Sequence, residues 1–349
     1  MDGKVSWGVI GSGGIAFRRT IPEGILPARN AKLVAVYGPD LEGNRAVAEQ
    51  FGARAAASVE DLLACEIDCI YIATPTYLHC RQALACTAAG KHVLCEKPLG
   101  LTVTEAEEMV TTFARAGLLL GTGFMMRFQA QHQEARRLIE SGRLGQPVYA
   151  RAQLSCWYPP IAGAWRQDPA LGGGGALMDL GGHCLDLLEM FFGPVAAVTA
   201  RICRRVHSYQ PEDGAIIALE FENGALGSVD TFFSIPDTAC ENALELYGSR
   251  GSVLARGTIG QGSSGTMSAL LSGGDTGYDA RQDRSIVSQP ICLAPVNTYC
   301  AEIEEFSGAV LEHREPEISG KLGLHSQRLL SACYLSARSG SPVRIHGDA

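Results

Sequence analysis

Gly8-Val9-Ile10-Gly11-Ser12-Gly13-Gly14-Ile15-Ala16 follows directly on Val5-Ser6-Trp7 and contains G-x-G-x-x-A from Gly11 to Ala16. An apolar strand that runs into such a turn and then opens a helix is the context of a dinucleotide-binding βαβ unit. Gly11 is expected to allow the tight turn and Gly13 to let backbone approach a pyrophosphate. Gly14 and Ile15 lead into the helix, and small Ala16 lets that helix pack on the strand. The phosphates would then face a helix N-terminus, where N–H groups without intrahelical partners and the macrodipole favour anions.

Working outward, residues 5–10, 33–37, 70–73, 92–95 and 118–122 read as short apolar strands. Between them lie helical patterns over 43–51, 59–63, 79–89 and 104–116, the alternation of a parallel sheet covered by helices. Thr102 with Glu105 three residues on fits a capping box. Beyond 121–123 the character changes. A helix over 127–141 precedes a strand over 148–157, then Gly172-Gly173-Gly174-Gly175, a helix over 179–192, and strands over 196–206, 214–222, 225–233 and 243–248. Asn223-Gly224 between two of these is a hairpin signal. Residues 260–288, rich in Gly and Ser, read as mobile loop, and the tail returns to helix over 297–311 and 322–337. No repeat at a fixed period appears. The expected class is α/β: a doubly wound Rossmann domain over 1–122, and an α+β domain over 123–349 with a large open, mostly antiparallel or mixed sheet that binds substrate and oligomerises.

At 349 residues the chain suits two domains rather than one core. The formal net charge of -8, with no basic run, argues against a nucleic-acid partner. No uninterrupted apolar stretch of about 18 residues appears, so no membrane partner is expected. The chain begins Met1-Asp2-Gly3-Lys4 and passes straight into a strand, so no signal peptide is expected. The twelve cysteines lack C-x-x-C pairs or zinc spacing, so metal sites are not expected, and the reading is a reduced, cytoplasmic protein.

Chemistry concentrates in two places. The strand over 92–95 runs out into Glu96-Lys97-Pro98, and ligands of open α/β sheets bind beyond such carboxyl ends. A lysine there can stabilise alkoxide character on a substrate oxygen. A cis bond at Lys97-Pro98 is open from sequence. The second place is Asp179-Leu180-Gly181-Gly182-His183, four-residue spacing that puts carboxylate and imidazole on one helix face. Imidazole titrates near neutrality, as proton exchange with a hydroxyl demands. Paired glycines inside a helix cost about 1 kcal/mol each, which close approach of a sugar ring would offset. A capping Asp179 with a core His183 is the alternative.

The cofactor expectation is NAD or NADP. An acidic residue ending strand two would hold the ribose 2′-OH of NAD. Tyr37-Gly38-Pro39-Asp40 offers only Asp40, slightly late, which also suits a turn; NAD is slightly favoured.

Together, Gly11 to Ala16, Glu96-Lys97-Pro98 and Asp179-x-x-x-His183 resemble the Gfo/Idh/MocA family of oxidoreductases. Ala73-Thr74-Pro75 with His79, Met126-Arg127-Phe128 and Trp165-Arg166 match in order and spacing, so the resemblance covers nearly the whole chain. It implies hydride transfer between NAD(P) and sugars, polyols or related cyclic compounds. By it, Lys97 positions substrate and assists proton transfer, Asp179 contacts substrate and Lys97, and His183 is the general acid/base. Thr74, Pro75, His79 and Glu96 would lie near the nicotinamide half. It also implies a homodimer or homotetramer built through the C-terminal sheet. The departure is Gly38-Pro39, where the family has acidic or Ser-Arg choices.

Trp157, Trp165 and Arg166 are further substrate candidates, since aromatic faces stack on pyranose C–H faces and a guanidinium can bind ring hydroxyls. Arg127 is a weaker one and also suits a structural role. Two other functions stay open on this scaffold: an NAD-dependent glycosidase working by transient oxidation and elimination, and a non-catalytic dinucleotide or sugar sensor.

Overall fold

The first strand, β1 (Val5–Ile10), is buried at every position, as a strand covered on both faces must be. In the computed structural model, which describes residues 3–263, 265–272, 278, 280 and 288–345, β1 lies inside a six-stranded parallel sheet. Its partners are β2 (Ala31–Tyr37), β3 (Arg54–Ala55), β4 (Cys69–Ile72), β5 (His92–Cys95) and β6 (Leu120–Thr122), in the order β3-β2-β1-β4-β5-β6. The strand order reverses between β1 and β4, the switch point at which doubly wound sheets bind dinucleotides. Strand β3 is only two residues long and was not expected from the sequence. On one face Ile10, Ile70, Ile72, Val93, Met109 and Phe113 form a dry core.

The chain divides into two compact units. The first holds the residues up to Met125 together with Gly163–Gly173 and Asn297–Arg328; the second holds Met126–Ala162, Gly174–Val296 and the chain from Leu329 on. Two segments from beyond residue 123 thus fold with the Rossmann sheet, and helix Thr298–Glu312 shows why. It packs on the helix after the glycine turn, so closely that a Cβ at Gly24 would sit 3.2 Å from Ile303 and the Tyr299 carbonyl. Phe306 tilts against fully buried Trp7 at 5.8 Å, and the Trp7 indole N–H donates to Ser307 Oγ at 3.1 Å. Gly121 of β6 is bridged by Ser319, and the Thr122 N–H donates to the Ile318 carbonyl.

The helix after the glycine turn has π character over Ala16–Ile25, with Pro22 inside it. Proline has no N–H to give, so a regular i to i−4 ladder cannot run through that position. Thr102 accepts from the Glu105 N–H as expected, but the Glu105 carboxylate accepts from Leu101 rather than from the cap residue itself.

The second unit holds a nine-stranded mixed sheet. Its strands are β7 (Pro147–Ser155), β8 (Val195–Cys203), β9 (Gly214–Phe221), β10 (Leu226–Phe232), β11 (Ala243–Gly248), β12 (Gly251–Arg256), β13 (Thr266–Leu271), β14 (Gln289–Pro290) and β15 (Val343–Arg344). They lie in the order β14-β13-β12-β11-β7-β10-β9-β8-β15, with β7 and β10 parallel and every other pair antiparallel. The β9–β10 hairpin turns at Asn223-Gly224, where Gly224 has φ +86°. Residues alternate buried and exposed along β9, so one face of the sheet is covered and the other is open. The loop expected over 260–288 is corrected in part: β13 crosses it, its buried Met267 and Ala269 alternating with more exposed neighbours. Residues 264, 273–277, 279 and 281–287 of that stretch lie outside the described ones. Among the described residues no helix is long and apolar enough to cross a membrane.

Candidate active site

In the first unit the glycine turn is built as the sequence requires. Gly11 has φ +94°, and a Cβ there would lie 2.7 Å from the Ala73 backbone, so β1 and the exit of β4 pass too closely for a side chain. Gly13 and Gly14 are exposed and face open space, Gly14 at φ +52°, with Ile15 and buried Ala16 opening the helix. Bare backbone beside a helix N-terminus fits the pyrophosphate of a dinucleotide.

At the end of β2, a Cβ on Gly38 would lie 2.5 Å from Ser12 Oγ, which donates to Asn44 Oδ1 at 2.8 Å. A side chain at the end of β2 would therefore have to displace the Ser12 hydroxyl. Asp40 instead caps helix Leu41–Phe51, its carboxylate accepting from the Glu42 N–H at 3.2 Å.

Beyond β4 and β5 the expected residues gather. Pro75 precedes the turn Thr76–Leu78, and Thr74 Oγ1 donates to Gln82 at 2.6 Å. The buried His79 ring sits with Nε2 2.9 Å from the Thr74 carbonyl and Nδ1 2.9 Å from the Pro98 carbonyl. Desolvation holds His79 below its ordinary value against those carbonyls, and the Arg166 and Lys97 cations push the same way. A neutral ring has one N–H and donates to one carbonyl at a time. The Lys97-Pro98 peptide is cis. Glu96 accepts from the Tyr71 hydroxyl, itself reached by Thr20 Oγ1 at 3.0 Å, and from the Lys97 N–H at 3.3 Å. Desolvation raises the Glu96 carboxyl, opposed by the Tyr71 hydroxyl and by the Lys97 and Arg166 cations. Sequence reasoning missed Tyr71, whose partners are Thr20 and Glu96, far from it along the chain. Arg166 lies over the Trp165 ring at 4.2 Å, so one indole face carries a guanidinium.

In the second unit Asp179 lies in a π-helical turn, Leu177–Gly181, that runs into helix Gly182–Phe192. Asp179 is half-buried and His183 is 8% exposed. Single π turns inside helices recur at functional sites. Of the paired glycines, Gly181 is crowded by its own helix and Gly182 is not. A Cβ at Gly181 would lie 2.9 Å from Leu177, and one at Gly182 would lie 3.6 Å from Leu330. Arg127 is engaged with Asp186 in a buried bidentate pair at 2.8–2.9 Å, which favours the structural reading over substrate binding. Trp157, 42% exposed, meets His207 edge-on at 4.8 Å, and His207 stacks on Tyr209 at 5.2 Å. The loop carrying His207 is held by Asp213. Against the cost of desolvation, the His207, Arg205 and Val206 N–H groups keep that carboxyl below its usual range.

The first unit thus assembles Gly11, Gly13, Gly14, Thr74, Pro75, His79, Glu96 and Lys97, with Arg166 electrostatically coupled to Glu96 and His79. The second carries Asp179 and His183 on one helix. Residues 5–124 match the oxidoreductase family with an NAD-binding Rossmann fold, and residues 132–254 match the GFO/IDH/MocA C-terminal domain. The chain belongs to the Gfo/Idh/MocA oxidoreductase family. It is an NAD(P)-dependent oxidoreductase, and the α/β fold of this family accounts for both sheets. Among relatives, a 1,5-anhydro-D-fructose reductase from Ensifer adhaerens is 30% identical over 97% of this chain and 98% of its own. An NADP-dependent D-xylose 1-dehydrogenase from Haloferax volcanii is 28% identical over 97% and 99%. Among Gfo/Idh/MocA-like solved structures, aldose-aldose oxidoreductase from Caulobacter crescentus, complexed with glycerol, superposes with a TM-score of 0.87 at 27% identity. It covers 98% of this chain and all of the other.

Proposed function

We propose that this protein moves a hydride between NAD(P) and a sugar, polyol or keto-sugar carbon, with reduction of a cyclic keto-sugar such as 1,5-anhydro-D-fructose as its first candidate reaction. The observation that carries the reading is a full-length relative of that activity, together with a lysine at the end of β5 and an Asp–His pair on one helix. Gly11, Gly13, Gly14, Ile15 and Ala16 would hold the pyrophosphate, and Thr74, Pro75, His79 and Glu96 would line the nicotinamide half. The nicotinamide supplies or accepts the hydride.

The chain's own residues do the rest. Lys97 holds the substrate oxygen and stabilises negative charge developing there. His183 gives that oxygen a proton during reduction and takes it during oxidation, and Asp179 orients the imidazole and contacts substrate. Trp157, Trp165 and Arg166 contact the ring. Asp40 is left to its capping role, so the reading does not choose between NAD and NADP. The open face of the nine-stranded sheet, with exposed Ile216 and Leu226, supports a homodimer or homotetramer, to be checked by light scattering.

The test is a panel of aldoses and keto-sugars, including 1,5-anhydro-D-fructose, offered with NADH and NADPH deuterated at C4, and of aldoses and polyols offered with NAD+ and NADP+. Deuterium found on a carbinol carbon of the product supports the reading; absorbance and mass unchanged across the panel would contradict it. Release of a leaving group without net NAD(P)H change would point to the glycosidase instead.

A further inference from the structure

The glycine run before the Asp179–His183 helix has a protein partner. A Cβ at Gly175 would overlap the Glu212 carbonyl oxygen, and one at Gly174 would overlap the Tyr334 hydroxyl. Glu212 is 8% exposed. Its Oε1 accepts from the Gly175 N–H at 2.9 Å, the Leu177 N–H at 3.1 Å and the Tyr334 hydroxyl at 2.7 Å. Its carbonyl accepts from the Ala176 N–H at 3.1 Å. Three successive residues, Gly175, Ala176 and Leu177, are thus tied to one side chain and its backbone. Two residues further on stands Asp179, whose N–H donates to the Gly175 carbonyl at 2.9 Å.

A helix start normally leaves its first N–H groups to solvent or to a local Ser, Thr, Asp or Asn. Here no such residue precedes the turn, and the acceptor arrives from residue 212. A buried carboxylate repays its desolvation only when charge-assisted hydrogen bonds surround it, and three donors converge on one oxygen. The partner, Tyr334, is also remote in sequence, so the clamp fixes the helix start against two separate parts of the unit.

We propose that Glu212, steadied by Tyr334, is a positioning residue for the reaction: it sets the placement of the turn that carries Asp179 and, one helical turn later, His183. This rests on the acid–base roles given to those two residues above. A shift of about 1 Å in such groups costs about 100-fold in rate, whereas cofactor binding, which uses the glycine turn of the other unit, is untouched. Glu212→Gln keeps an oxygen acceptor and removes the charge; Glu212→Ala removes both; Tyr334→Phe removes one donor.

The experiment combines steady-state kinetics on the best substrate of the panel with amide hydrogen exchange over residues 174–186. For Glu212→Ala the expected results are faster exchange at 175 and 177, kcat down about 100-fold, and KM for the reduced cofactor the parent uses within about twofold. Glu212→Gln should recover kcat to within about tenfold of the parent, and Tyr334→Phe should lose about threefold. A folded Glu212→Ala with fast exchange but parental kcat would show a purely structural staple and overturn the proposal. Should Glu212→Ala not fold, the Gln and Phe variants decide: parental kcat in both overturns it. Deuteride transfer by the parent enzyme tests separately the oxidoreductase reading on which those acid–base roles depend. If the parent transfers none, that reading falls, and the role of Glu212 falls with it.

Discussion

The imidazole of His79 and the carbonyl of Pro98 lie 2.9 Å apart, and the other ring nitrogen faces the Thr74 carbonyl at the same distance. One buried ring therefore bridges the turn after β4 and the turn that carries Lys97. His79→Ala takes the one ring N–H away from a buried carbonyl, a cost of about 1–3 kcal/mol. It should lower the melting temperature and weaken binding of NADH or NADPH, whichever the parent binds, in a fluorescence titration. His79→Asn, which keeps a donor, should recover part of both. Unchanged binding in His79→Ala would separate this bridge from the cofactor site.

Asp40 gives a clean contrast between two roles. As the cap of helix Leu41–Phe51 it is worth about 1 kcal/mol. Asp40→Ala should lose that in stability and leave the ratio of kcat/KM for NADH to that for NADPH unchanged. A large swing of the ratio toward NADPH would return Asp40 to the ribose.

Arg127 and Asp186 form a pair whose side chains are 10% and 2% exposed. Removing one partner strands a buried charge, at about 3–5 kcal/mol. Asp186→Ala should therefore be strongly destabilised in thermal melts. The double variant Arg127→Met with Asp186→Leu should recover most of the loss. A double variant as unstable as the single one would contradict the assignment.

His132 is fully buried, its Nδ1 2.8 Å from the Met126 carbonyl and its Nε2 3.1 Å from Thr258 Oγ1. Desolvation lowers it to about 4. The unfolded chain, titrating near 6.5, binds this proton more readily, so the contribution is complete above about pH 6.5 and is lost as pH falls toward 4. The loss amounts to about 3 kcal/mol. His132→Gln should flatten stability against pH in that window; a slope equal to the parent's would contradict this.

Local patterns carried much of the first unit. The strand, glycine turn and helix from Val5 onward announced themselves, and helix Val59–Leu63 and strand His92–Cys95 fell where their apolar runs put them. The short strands β3, β14 and β15 could not be read, because two residues carry no period and exist only through their neighbours' hydrogen bonds. The residency of Thr298–Glu312 with the Rossmann sheet was equally hidden: Trp7 meets Phe306 and Ser307 across some 300 residues of chain. Within the candidate site, types and spacing pointed to Lys97, Asp179 and His183. The groups that hold the neighbouring backbone in place, Glu212, Tyr334, Tyr71 and Asp213, carry no local signature, since each is defined by partners from elsewhere in the chain or by loop geometry. Of the glycines at 181 and 182, packing bears on 181, where a Cβ would crowd Leu177; at 182 a Cβ would make only ordinary contact with Leu330.

The most direct measurement is kcat/KM of Lys97→Met and His183→Asn for the best keto-sugar of the panel, beside the dissociation constant for whichever of NADH and NADPH the parent uses. The expected result is a fall of about 100-fold or more in each variant, with that cofactor bound within about threefold of the parent. Parental turnover in both variants, with the cofactor bound as before, would contradict the assignment of the proton chemistry to these residues.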